Sequence, residues 1–199
     1  MENIIRSKER VSENGEVFTP FEIVDKMNVL IPEDVWKDPT YIYLEPTCGI
    51  GNFVIRILEK RIESGISIEN ACNTLFGMDI MPDNILKCYE RVLEVCRVQM
   101  LKEGMKEGNK EWIDRSIRII CIVLNNIFRV KDSLEVIKSG EFDKKRFFDY
   151  DPTGQGMVLP KSKRDGAISK VRGIVRDYVS GKRIHKNSEA IVSSLFKRK

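Results

Sequence analysis

The sequence has one histidine, His185, and no Cys-x-x-Cys pair among its cysteines. Because structural zinc sites need four Cys or His ligands, we expect no metal site. The five cysteines are predicted to be reduced, buried side chains, with Cys48 partly exposed in a glycine loop. These are Cys48, Cys72, Cys88, Cys96 and Cys121. His185 lies in a basic run and is interpreted as a solvated or phosphate-contacting residue rather than as a general base.

Long apolar runs are also missing. The longest, Ile117 to Leu124, contains Arg118 and is much shorter than the ~18 residues of a membrane helix. The first ten residues have no apolar core of the kind that a signal peptide requires. We therefore expect no membrane segment and a cytoplasmic location.

The net charge of +4 is unevenly distributed. Residues 1–150 carry 22 basic and 26 acidic side chains, whereas residues 151–199 carry 12 basic and 4 acidic ones. A basic tail on a mildly acidic body favours a polyanionic partner, DNA first, although a solubilising tail would give the same count. The cations assigned to DNA are Lys161, Lys163, Arg164, Lys182, Arg183 and Lys186.

Apolar periodicity predicts alternating strands and helices up to residue 135 and helices near the C-terminus. Strands are predicted at 41–44, 76–80 and 127–130, and helices at 52–63, 67–75, 82–103, 111–126, 167–179 and 188–196. Before them, Thr19-Pro20-Phe21-Glu22 is typical of a capping box at the start of a helix with apolar positions Ile23, Met27, Leu30 and Ile31. This alternation predicts an α/β sheet.

An acid, two glycines and a helix start follow the first predicted strand. Glu45 ends the strand, Gly49-x-Gly51 turns the chain, and the helix amides at residue 52 onward face the loop. Asp79, at the tip of the next strand, is placed to accept ribose hydroxyls. Because a carboxylate repels pyrophosphate, Glu45 favours a cationic ligand such as S-adenosylmethionine over NAD. A strand end with an ordinary glycine turn is the alternative.

Four segments together resemble the S-adenosylmethionine-dependent DNA adenine-N6 methyltransferases of restriction–modification systems. They are Gly15 to Pro20, Leu44 to Phe53, Gly77 to Ile80, and Asn126-Ile127 followed by Asp132 to Leu134. The resemblance implies a Rossmann-like sheet that binds S-adenosylmethionine. It implies that these residues hold the cofactor: Phe18, Thr19, Pro20, Glu45, Pro46, Gly49, Gly51, Phe53, Asp79, Ile80 and Asp132.

The sequence departs from this family at the catalytic motif. The family uses Asn/Asp/Ser-Pro-Pro-Tyr/Phe to hold the target amine and to stack on the flipped base. This chain has no Pro-Pro, and Asp151-Pro152 followed by Thr153-Gly154 stands at the expected distance. Asp151 and Pro152 are weak catalytic candidates, and an ordinary turn is the preferred interpretation.

The predicted sheet is also smaller than the family's seven strands, so the strand carrying Glu45 would be an open edge. Either residues 136–199 or another chain would cover this edge, and we expect a partner subunit or a homo-oligomer. Three parts are predicted: an N-terminal helical segment over 1–40, the cofactor-binding domain over 41–135, and a basic, mainly helical region over 136–199.

Three functions remain open from the sequence. The first is an S-adenosylmethionine-binding DNA methyltransferase-like protein that needs a partner for catalysis or is divergent. The second is a non-catalytic module, regulatory or anti-restriction, that binds the cofactor and DNA or protein. The third is methylation of RNA, protein or a small molecule.

Overall fold

The computed structural model describes residues 7–142 and 146–196. Within these ranges the chain is mixed α/β, which confirms the predicted class. The described residues form ten helices: α1 Lys8–Asn14, α2 Phe21–Asn28, α3 Glu33–Lys37, α4 Asn52–Glu63, α5 Ile68–Asn73, α6 Pro82–Lys102, α7 Lys110–Asn126, α8 Ser133–Lys138, α9 Lys161–Val179 and α10 Lys186–Ser193. The strands are β1 Tyr43–Glu45, β2 Leu75–Asp79, β3 Ile127–Arg129, β4 Arg146–Phe147 and β5 Met157–Val158.

The main sheet is parallel, with the strand order β1-β2-β3. Its register sets Leu44 beside Phe76 and Met78 beside Phe128, so these four side chains share one face. Tyr43, Leu75 and Ile127 lie on the other face, within the main hydrophobic core. Strand β1 lies at an edge: in the part of the chain that the structure describes, it pairs with β2 alone.

The helices form the bulk of the core. Helices α4 and α6 pack on the sheet, α7 packs on α5 and α6, and α9 and α10 pack on α7 and α6. The indole N–H of Trp112 donates to the carbonyl oxygen of Leu195 at 3.1 Å, which ties α7 to the residues after α10. The basic helices therefore share one core with the sheet, and the three-part division of the chain stays a prediction.

The region before β1 differs from the predicted pattern. Pro20 occupies the N-cap position of α2, and no side chain caps this helix, so the capping box of Thr19 and Glu22 is wrong. Val24 is the buried residue of α2, whereas Ile23, Met27 and Leu30 are exposed. The side of α2 that faces α4 is set by Phe21 and Val24, which leaves Ile23, Met27 and Leu30 outside. Ile31, the fourth predicted position, packs partly buried against the core.

Helix α9 starts at Lys161, directly after Pro160, rather than at 167. Gly166, which a sequence pattern treats as a helix breaker, lies inside it without interrupting it. Of the helices described, none combines the length and apolar character needed to cross a bilayer.

Arg61 joins α4 to the residues that precede β1 and β2. Its buried guanidinium donates to the Asp38 carbonyl at 2.6 Å and to the Thr74 hydroxyl at 3.0 Å. It also lies 5.1 Å from the centre of the Tyr43 ring.

We expect Arg61→Ala to lower the free energy of unfolding by about 3 kcal/mol, because it leaves a cavity beside the buried Thr74 hydroxyl and removes the donor to the Asp38 carbonyl. The matched control is Lys60→Ala, which removes a more exposed cation paired with Glu33 and should cost about 0.5 kcal/mol or less. Urea unfolding followed by circular dichroism measures both. Equal losses would contradict the role given to Arg61.

Candidate functional site

A cavity of about 470 Å³ lies where the three parallel strands end. Parallel strands bring their carboxyl ends to one edge, so the residues after β1, β2 and β3 meet there although they are distant in sequence. The segment before α2 closes another side. The lining consists of Gly15, Glu16, Val17, Phe18, Pro46, Thr47, Gly49, Asp79, Ile80, Met81, Asn84, Lys131, Asp132 and Ser133.

Asp79 connects the glycine loop to the start of α6. Its Oδ2 accepts the Gly49 N–H at 2.9 Å, and its Oδ1 accepts the Met81 N–H at 2.8 Å. Asn84 donates to the same Oδ1 at 3.3 Å. Each carboxylate oxygen has two lone pairs, so Oδ2 retains room for a further donor from a ligand.

Glu16 extends this network to the N-terminal segment. Only 8% of its side chain is exposed, and its Oε1 accepts from Asn84 at 2.7 Å and from Arg10 at 2.9 Å. Arg10 also donates to Asp83 at 2.6 Å, and this hydrogen bond raises the pKa of the Arg10 guanidinium. Helix α1 is thereby bound to the start of α6 across one side of the cavity.

Close contacts with neighbouring side chains require glycine at positions 49 and 51. A Cβ on Gly49 would lie 3.2 Å from the Phe18 ring, and one on Gly51 would lie 2.6 Å from the Cys88 sulfur. Both glycines have positive φ, 51° and 90°.

Cys48 is buried, contrary to the partial exposure expected, because it packs behind the glycine loop. The Cys88 thiol and burial raise the pKa of the Cys48 thiol far above its usual value.

Glu45 lies outside the described lining of the cavity. Its Oε1 accepts from the Thr47 N–H at 3.2 Å and lies 3.3 Å from the Thr47 hydroxyl, so it closes the turn after β1. Burial raises the pKa of this carboxyl, and the bonds from Thr47 partly offset the effect. The negative charge at the cavity comes instead from Glu16, Asp79 and Asp132.

Thr19, Pro20, Gly51 and Phe53 also lie outside the described lining and support it. The carbonyl oxygen of Thr19 accepts from Asn52 at 2.8 Å, and Asn52 in turn accepts from Arg91 at 2.6 Å. These bonds join the start of α2 to the glycine loop. Phe53 packs against the main core.

The third strand contributes both signs of charge. Lys131 and Asp132 follow β3, and Asp132 caps α8 by accepting the Leu134 N–H at 2.8 Å through Oδ1. The lining therefore carries three carboxylates and one ammonium group.

Asp151 and Pro152 are not brought to this cavity. The Tyr150 carbonyl accepts from Asn73, which lies just before β2, whereas the cavity is at the other end of that strand. At ~3.3 Å per residue, the five residues of β2 separate the two places by roughly 13 Å. Asp151 accepts from the Thr153 N–H at 2.9 Å and its hydroxyl at 2.7 Å, which is the geometry of a turn.

The basic C-terminal residues lie on the exposed surface of α9, α10 and the loop between them. Arg164 pairs with Asp149 at 2.6 Å, and Lys182 lies 3.6 Å from Asp177. Within residues 7–142 and 146–196, five further cations have no ion pair and remain available to an anionic partner: Lys161, Lys163, Lys170, Arg183 and Lys186.

Local sequence patterns do not identify several residues of the site. Asn84 and Lys131 line the cavity but belong to no recognised motif, and Arg10 supports the lining from a separate helix. Asn84 is linked to Glu16 across 68 residues, and no local pattern indicates such a bond. The sequence feature that could have indicated Asn84 as a site residue is its position in the first turn of α6, just after Asp79.

Comparisons of this chain with protein-family models, with curated proteins and with solved structures find no match.

Gly51 and Gly65 form a matched pair for testing the loop. Their φ angles are 90° and 92°, but only Gly51 would bring a Cβ against a neighbour. We expect Gly65→Ala to lower the free energy of unfolding by about 1 kcal/mol through backbone strain. Gly51→Ala should cost about 1–3 kcal/mol more, because the cysteine behind it must move. Denaturant unfolding measures the difference, and equal costs would refute the close packing.

Proposed function

We propose that this chain is a methyltransferase-like protein that binds S-adenosylmethionine in the cavity at the carboxyl ends of β1, β2 and β3. The observation that carries the proposal is the convergence of four separated segments on one cavity. Phe18, Pro46, Gly49, Asp79, Ile80 and Asp132, which the resemblance names as cofactor residues, all line it. The three-stranded sheet would then be part of a Rossmann-like methyltransferase sheet.

The charge of the lining supports this choice of cofactor. Glu16 is paired with Arg10, but the Asp79 and Asp132 carboxylates outnumber the Lys131 ammonium group in the lining, which disfavours a pyrophosphate and favours a ligand with ammonium and sulfonium groups. The open lone pair on Asp79 Oδ2 suits a ribose hydroxyl, and the volume lies within the usual 300–1,000 Å³ of small-molecule sites. When bound, S-adenosylmethionine would supply an electrophilic methyl group.

Calorimetry with S-adenosylmethionine, and with NAD as a comparison ligand, tests the assignment. We expect S-adenosylmethionine to bind and NAD to bind far more weakly. Asp132→Asn keeps a good helix cap while removing a charge, and Asp79→Asn removes an acceptor; each should weaken binding by on the order of tenfold or more.

The control is Glu22→Gln, which neutralises an exposed carboxylate on α2 away from the cavity. It should leave binding unchanged. Undiminished binding by both Asp79→Asn and Asp132→Asn would refute the site.

We further propose DNA as the macromolecular partner, bound by the exposed cations of α9, α10 and their loop. Five of these cations are unpaired within the described residues, so phosphate contacts would not have to break internal ion pairs.

A short DNA duplex should bind with an affinity that falls as salt rises, since each phosphate contact adds about 0.9 to the slope of log K against log salt. The double variant Lys161→Gln/Lys163→Gln should reduce the slope by about 1 to 2. Lys26→Gln, on α2, is the matched control. A salt-independent affinity would exclude phosphate-dominated binding.

A second candidate is a non-catalytic module that binds the cofactor and DNA or protein. The position of Asp151 and Pro152 at the opposite end of β2 favours it, because the Asp-Pro pair that stood as the candidate for holding a target amine then lies away from the cavity. Incubation with DNA and tritiated S-adenosylmethionine distinguishes the two. Label in adenine selects the adenine-N6 methyltransferase, and cofactor binding without transfer selects the module.

A further inference from the structure

Helices α7, α9 and α10 line a second cavity, of about 380 Å³. It shares no described lining residue with the cavity at the strand ends, so the two are separate spaces. Its volume lies within the usual ~300–1,000 Å³ of small-molecule sites. It also exceeds the ~150 Å³ of an engineered core cavity that holds benzene, so a ligand with a ring or a short chain fits.

The walls of this cavity are almost entirely apolar. Ten of the thirteen described lining residues are apolar, and they include Ile120, Leu124, Phe148, Val171, Ile174 and Ile191. The other three are polar, and none of the thirteen is acidic. Small-molecule sites have this composition, in which a few polar groups interrupt an apolar wall.

A small side chain on α9 keeps the cavity open. Val171 and Val175 are buried residues of α9, the helix that packs on α7. Ala167 precedes Val171 by four residues, so it lies on the same side of the helix and lines the cavity. Its side chain is a single methyl group, which leaves space that a leucine at this position would occupy.

The polar side chains in the lining have groups left for a ligand. In the part of the chain that the structure describes, the Lys170 ammonium has no ion pair and the Ser188 hydroxyl has no hydrogen-bond partner. The Asn125 amide nitrogen donates to Asn126 at 2.7 Å and to the Arg146 carbonyl at 2.8 Å, so its own oxygen remains as an acceptor. The lining therefore carries one positive charge, no negative charge and two neutral polar groups.

We propose that this cavity binds a small carboxylate with an apolar body, which fills the space lined by α7, α9 and α10 while its carboxylate meets the Lys170 ammonium. The absence of an acid among the described lining residues disfavours a cation. Ser188 lies in the first turn of α10, where the helix dipole also favours an anion over a neutral molecule. An inorganic anion is disfavoured because it has no apolar surface for the walls.

Calorimetry of the full chain with octanoate tests the proposal. Octanol and acetate separate the contribution of the apolar body from that of the carboxylate. We expect octanoate to bind, octanol to bind about threefold to tenfold more weakly, and acetate not to bind measurably. 2-Naphthoate in place of octanoate distinguishes an aromatic body from an aliphatic one, and binding of either carboxylate supports the proposal.

Two variants on α9 separate charge from space. Lys170→Gln should weaken octanoate binding by about threefold to tenfold and leave octanol unchanged, because it removes the charge alone. Ala167→Leu should weaken both ligands by on the order of tenfold or more, because leucine takes up part of the cavity. The matched control is Arg172→Gln, which neutralises another exposed cation of α9 that is not in the described lining, and it should change neither.

Cys121 gives an independent measure of where the ligand lies. It lines this cavity, whereas Cys48 lies behind the glycine loop. Saturating octanoate should therefore slow the alkylation of Cys121 by iodoacetamide more than that of Cys48, and peptide mass spectrometry measures both rates. Equal slowing of the two cysteines would place the ligand elsewhere and overturn the proposal.

Three calorimetric results would also overturn it. They are no binding of either carboxylate, octanol binding as tightly as octanoate, and octanoate binding that neither Lys170→Gln nor Ala167→Leu weakens. These measurements need no S-adenosylmethionine and no DNA. Their failure would count against this inference alone, and a failure of S-adenosylmethionine to bind would count against the proposed function alone.

Discussion

The Asp79 carboxylate holds the site together. It accepts hydrogen bonds from the amides of Gly49 and Met81, and so fixes the glycine loop against the start of α6. Asn84 and Glu16 extend the same chain of bonds to Arg10. A second polar link among the loop, the long helix and the N-terminal segment runs from Arg91 through Asn52 to the Thr19 carbonyl. Of the two, the Asp79 network is the one that lines the cavity.

Local patterns were sufficient to predict the strand, loop and helix around Glu45 and the acid at the end of the next strand. Helix α4 matches its predicted bounds of 52–63, and β2 differs from its prediction by one residue at each end. Apolar periodicity and glycine turns are properties of neighbouring residues, so they can be found in the sequence. The convergence of these segments follows from parallel strands, which end at one edge.

Contacts between distant residues were not predictable in this way. The Glu45 carboxylate, predicted to face the ligand, instead accepts a hydrogen bond within its own turn. Glu16, 29 residues earlier in the chain, lines the cavity. Which apolar side of α2 faces outward depends on the position of α4. Periodicity alone does not show which of two apolar sides packs against a neighbouring helix. Asp151 stands at the sequence distance of the family's catalytic motif but lies at the end of β2 opposite the cavity, because distance along the chain does not fix direction.

The cysteines behind the glycine loop make the opening of that loop measurable. All five are reduced and buried, and Cys48 and Cys88 lie directly behind the turn that Gly51 makes. Both sulfurs are buried, so alkylating reagents can reach them only when the loop separates from α6. The rate of labelling therefore measures how often the floor of the cavity opens, and anything that binds against the loop will slow it.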